Sequence, residues 1–174
     1  MDLGNLWRVL PDSERRQWAL DPFTSVGPLQ FGMSPDEVAV ALDDMVTARS
    51  RDASSNITSD VYSKVGVTLY YDSGEQLHGV SADALRGPQV FIDGIALVGR
   101  IPSELEQWLC ERADSREPFT ELVYMPSADP ASLSLGVVAC VQRAGDRLVT
   151  RPVFLPADAM EDIHHQLPQE AWAI

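Results

Sequence analysis

The stretch of this sequence best suited to hold a metal ion is "DAMEDIHHQ", residues 158–166. On a helix, Glu161 and His165 stand four apart and Asp162 and His165 three apart, spacings that bring side chains onto one face. Carboxylate oxygen and imidazole nitrogen both ligate zinc, and a zinc site takes three or four ligands. Glu161, Asp162 and His165 are therefore the candidate metal ligands, and a small metal-dependent hydrolase is the activity they would serve. The competing reading is a solvated helix face, with its acids in the first turn where they favour the helix dipole. That reading is preferred, because His78 is the only histidine outside the "HH" pair.

Other chemistry finds less support. Cys110 and Cys140 form no CxxC pair and match no metal spacing, and they read as two small buried hydrophobes. There is no GxSxG, and three histidines make a catalytic triad hard to assemble. "QFGMSPDEV" (30–38) resembles a strand end, a glycine and a helix start. A phosphate loop needs more glycines and a lysine, and Asp36 and Glu37 at the positive end of the helix would repel an anion. The stretch is a joint. No catalytic residue, metal or cofactor is expected.

The elements that must position any site follow from pattern. Ser34 is an N-cap, Pro35 suits the first helical position, and Glu37 completes a capping box. Val38, Ala41, Leu42 and Met45 then form one apolar stripe. Alternation predicts a strand at 65–71, with Val65, Val67, Leu69 and Tyr71 on one face, and another at 133–141. Asp93-Gly94 predicts a hairpin turn, and Pro152 an edge strand or an early strand end. "PDSERRQWAL" (11–20) is expected to be a short helix and 157–172 a helix broken near Pro168. "ARSRDASSNITSD" (48–60) and "MPSADPAS" (125–132) are expected to be loops.

Two parts of the chain match each other. "GPLQFGMSPDEVAVAL" (27–42) aligns with "GIALVGRIPSELEQWL" (94–109) at an offset of 67, pairing Gly32 with Gly99, Pro35 with Pro102 and Leu42 with Leu109. "VGVTLYY" (65–71) aligns with "LGVVACV" (135–141) at an offset of 70. An internal repeat over 26–90 and 93–156 is expected within one domain spanning 1–174. The fold class expected is α+β: antiparallel sheet with helices packed on one face, in two similar strand–helix–hairpin halves.

Charge narrows the partners. The chain of 174 residues carries 26 acids against 13 Lys and Arg, a net charge of −13 spread over both halves. Nucleic-acid binding through a basic face is disfavoured, while a basic partner would be steered in. No run is long enough to span a membrane, and the charged N-terminus lacks a secretory signal, so a cytoplasmic protein is expected.

"FGMSPDEV" resembles the opening motif of the β-lactamase inhibitor protein family and of the related small lipoprotein of outer-membrane assembly, matching at Phe31, Gly32, Met33, Ser34 and Val38. In those proteins the motif opens a helix packed on an antiparallel sheet, and the inhibitor family repeats the unit in tandem. The resemblance implies a sheet that faces a protein partner. The second copy departs from the motif, with Arg100 and Ile101 in place of Met and Ser, and closely spaced disulfide cysteines are absent. The chain is also similar, in size and charge, to the small acidic immunity partners of bacterial toxins. On the sheet face opposite Val67 and Leu69, the expected partner-binding residues are Thr68, Tyr70 and Asp72. The expected function is a non-enzymatic bacterial module that binds a basic protein through an acidic sheet face. Self-association into a homo-oligomer is the further alternative.

Overall fold

The computed structural model describes residues 3–115, 121–161 and 168. After α1 (Leu3–Leu6) and a 3-10 turn at Asp12–Glu14 come β1 (Gln17–Asp21), β2 (Ser25–Val26) and β3 (Leu29–Gln30), then α2 (Pro35–Leu42). Four strands follow: β4 (Ala48–Asp52), β5 (Ile57–Tyr62), β6 (Val67–Tyr71) and β7 (Leu77–Ala82). The order then recurs. The hairpin β8 (Gln89–Ile92) and β9 (Ile95–Ala96) leads to α3 (Pro102–Asp114) and to four more strands, β10 (Leu122–Tyr124), β11 (Pro130–Ser132), β12 (Val137–Ala144) and β13 (Arg147–Phe154). A short α4 (Ala157–Glu161) follows.

The two sets of four strands make one eight-stranded sheet, ordered β10-β11-β12-β13-β7-β6-β5-β4. Its halves meet antiparallel where Val153 faces Ser81 and Phe154 faces Val80. A second sheet, β3-β2-β1-β8-β9, gathers the two hairpins on either side of β1, which runs parallel to β8 and antiparallel to β2. The chain is therefore α+β and dominated by sheet, with the same order of elements in each half. The aligned glycines Gly66 and Gly136 occupy the same place in that order. Each has positive φ and donates its N–H to the carbonyl four residues back, Tyr62 and Ser132.

One face of the large sheet carries the main core. Val67, Leu69 and Tyr71 of β6, Leu77 and Val80 of β7, Val137 and Ala139 of β12 and Phe154 of β13 all lie in it. Val38 and Leu42 of α2, and Leu105 and Leu109 of α3, pack there too. Burying one such side chain contributes about 1.5–3 kcal/mol, so spacing alone accounts for these helices docking. The other face of β12 and β13 is covered locally, with Val138, Cys140 and Val153 packing against Ala159 and Met160 of α4.

The α2 cap forms as its sequence predicts: Ser34 Oγ accepts from Glu37 N–H at 3.2 Å. The helix stops earlier than the stripe, because Asp43 turns left-handed after Leu42, and Met45 is left 82% exposed. The Asp93-Gly94 hairpin is present, with Ile92 facing Ile95. Four expectations are corrected. Residues 17–21 are strand rather than helix, their Trp18 and Leu20 alternating into the core. The expected loop at 48–60 is the antiparallel pair β4–β5, and 130–132 of the second expected loop is β11. Pro152 lies within β13, at a place where β13 has no β7 neighbour needing its N–H. The C-terminal helix is seen only as α4, and most of 162–172 lies outside the described residues. Among the described residues no helix is long and apolar enough to cross a membrane.

Candidate functional site

Alternation along β6 sends Val67, Leu69 and Tyr71 into the core and leaves Thr68 and Tyr70 on the opposite face. Over β4–β6 that face is half-exposed, and on β7 its residues Gly79 and Ser81 are buried. Pairing sets Ser50 beside Ser59, Ser59 beside Tyr70 and Tyr70 beside Gly79. The two serine hydroxyls bond at 2.7 Å. Gly79 matters because the Tyr70 ring lies across it: a Cβ on Gly79 would sit 3.2 Å from Cδ2 of that ring. The ring thus packs over Gly79 beside Leu155, with Ser59 across the strand pair and Ile57 and His78 next to it in the depression described below, and an aromatic side chain so placed is a common interface anchor.

At the far end of β6 the face dips into a depression of about 280 Å³, lined by Tyr70, Asp72, His78, Asp158, the 55–57 segment and Pro168. His78 enters it because β7 is irregular between Leu77 and Gly79, which face the consecutive residues Tyr71 and Tyr70. Its Nδ1 lies 3.9 Å from Asp72 Oδ2 and its Nε2 3.7 Å from Asp158 Oδ2. Both distances are too long for hydrogen bonds and close enough for attraction when the ring is charged. Asp72 also holds the turn, its Oδ1 accepting from Gly74 and Gln76 N–H. Ser55 donates its hydroxyl to Asp52 at 2.8 Å.

At the near end lies a smaller depression of about 190 Å³, lined by Thr68, Asp83, Arg86, Arg151 and the Ser63–Val67 turn region. Arg151 reaches Gln142 Oε1 at 3.1 Å and Thr68 Oγ1 at 3.4 Å, and its Nη1 stands 3.5 Å from Asp83 Oδ2. On the core face behind, Asp60 is fully buried and takes two bonds from Arg49, at 2.6 and 2.8 Å. That carboxylate raises the Arg49 pKa. Burial first, and then Asp60, push the phenols of Tyr62 and Tyr71 up, so both stay neutral. Neither hydroxyl has a hydrogen-bond partner among the described residues.

A third hollow, of about 470 Å³, runs between β9 and α3, walled by Phe91, Ile95, Leu105 and Trp108 with Asp12 and Arg100 at its rim. Burial works to raise the Asp12 pKa, but the bonds from Gln89 and Arg100 and the charges of Arg100 and Arg15 outweigh it. The carboxyl is held below its usual value.

Of the expected partner-binding residues, Tyr70 and Asp72 line the depression at the far end of β6 and Thr68 the one at its near end. Of the expected metal ligands, Glu161 is the exposed last residue of α4, and Asp162 and His165 lie outside the described residues. Among the described residues no three His, Cys, Asp or Glu side chains gather as a metal site. Cys140 is buried and Cys110 half-buried, and neither is in a disulfide. Sequence reasoning missed His78, Asp158 and Arg151, which come from β7, α4 and β13 and meet β6 only through the sheet order. No protein-family model, curated protein or solved structure matches this chain.

Proposed function

We propose that this chain is a non-enzymatic bacterial protein-binding module, of the immunity or inhibitor kind, whose partner docks on the half-exposed face of β4–β6. The observation that carries the proposal is Tyr70, fixed across Gly79 amid Ser50, Ser59 and Thr68. An aromatic ring already set in place needs little reordering when a partner buries it. The tandem plan of helix and four-stranded sheet accords with the resemblance carried by "FGMSPDEV", in whose family such a sheet faces a protein. A net charge of −13 favours encounter with a basic partner.

The test is affinity capture from the source organism at low salt, with the tagged protein and with Tyr70→Asp. A partner retained in stoichiometric amount by the first and lost from the second is expected. No stoichiometric partner at low salt, or one held equally by both proteins, overturns the proposal.

A further inference from the structure

The open face is not uniformly acidic. Its two ends carry opposite charge. At the larger depression stand Asp72 and Asp158, with Glu75 in the adjoining turn and Asp52 at the end of β4; His78 is the one basic group among the described residues that line it. At the smaller depression stand Arg86 and Arg151, with Lys64, the only lysine of the chain, in the turn that lines it. Among the described residues that line it Asp83 is the single acid, and it is engaged by Arg151 and Gln142. The five residues of β6 separate these ends by about 14 Å, with Tyr70 and Thr68 between.

We infer that the partner presents a segment of two charges along β6. Its Lys or Arg side chain enters the depression at Asp72 and Asp158, and its carboxylate meets Arg86 and Arg151. The inference rests on the protein-binding reading above and adds the partner's chemistry and direction. Charge complementarity supplies the argument. A basic segment alone would leave Arg86 and Arg151 facing like charge, and a segment laid the other way round would oppose like charges at both ends. Such mismatches suppress wrong partners and wrong registers. The net charge of the chain would select any basic protein, whereas this face selects an oriented one.

Two small probes at constant ionic strength test the pattern by amide NMR: N-acetyl-arginine amide and acetate. The first should shift the signals of Tyr70, Asp72 and His78, and the second those of Thr68, Arg86 and Arg151, each saturably. Asp158→Asn should weaken only the first and Arg86→Gln only the second, by roughly threefold, as for one exposed ion pair. Both substituted residues are exposed, so the fold should survive. Shifts scattered over the acidic helices α2 and α3, or unchanged in the variants, overturn the inference. So does a captured partner that depends on Tyr70 but is indifferent to Asp158→Asn and Arg86→Gln, although the docking proposal itself then stands. If the probes behave as expected and no partner is retained, the docking proposal falls and the partner segment with it.

Discussion

At the scale of single residues, two charged groups are set where their removal can be measured. Asp60 is fully buried and its carboxylate is held by Arg49 from the edge strand β4. Breaking such a pair from one side leaves a buried charge unpaired. Arg49→Ala should therefore lower the urea-unfolding free energy by about 2–4 kcal/mol, and replacing both residues with leucine should cost less than Arg49→Ala alone. A loss below about 0.5 kcal/mol for Arg49→Ala, the size of an ordinary surface change, would mean that water satisfies Asp60 instead. Asp12 behaves differently. Its folded pKa lies below the unfolded value, so its stabilisation is present above about pH 4 and is lost as pH falls through the folded pKa. Asp12→Asn should remove that part of the acid limb in a series of melts from neutral to acid pH. An acid limb of unchanged slope would show that the bonds from Gln89 and Arg100 do not favour the charged carboxyl.

At the scale of elements, legibility in the sequence followed how strongly burial dictated pattern. The α2 cap, the Asp93-Gly94 hairpin and strand β6 were readable because each is set by local chemistry or by strict alternation. Strand β4 was not, since all five of its residues are exposed and no face needs apolar side chains. Strand β5 hid for a related reason: its core-facing positions include Thr58 and Asp60, tolerated there because Arg49 reaches across. Tyr70 and Asp72 could be placed at the site because both sit on or beside one strand, but His78 and Asp158 reach it through a β7 irregularity and a helix no local pattern connects. The aligned pair Gly66 and Gly136 also had a legible cause. Gly136 has φ +65°, and a Cβ there would stand 2.4 Å from the Leu155 carbonyl oxygen. Gly136→Ala should thus cost more than about 2 kcal/mol, the backbone penalty plus the clash. Gly74→Ala, where a Cβ meets only Asp72 Oδ1 at 3.4 Å, should stay within about 0.5 kcal/mol. Equal losses by thermal melting would refute the equivalence of the Gly136 turn to a strained, glycine-only position.

At the scale of the whole molecule, the question is whether two similar halves fold as two units or one. The large sheet is joined at its middle by only two residue pairs, Val153 with Ser81 and Phe154 with Val80, which taken alone would suggest independence. The rest of the structure argues the other way. Strand β1 belongs to neither repeated set, yet it bonds both hairpins, pairing Leu20 with Val26 and Trp18 with Val90. One core holds Leu69 and Val80 from the first half together with Leu105, Val137 and Phe154 from the second. Separating the halves would expose Phe154 and Val80 at once and strip β8 of its neighbour β1. Unfolding should accordingly be one cooperative transition: far-UV dichroism and the fluorescence of Trp18 and Trp108, which sit on β1 and α3, should follow the same denaturant curve. The calorimetric and van't Hoff enthalpies should agree, and a chain beginning at residue 93 should give no cooperative melt. Two resolved transitions, or a folded fragment from residue 93 onward, would show instead that the joint at β13–β7 is a boundary and that the shared core is a contact between domains.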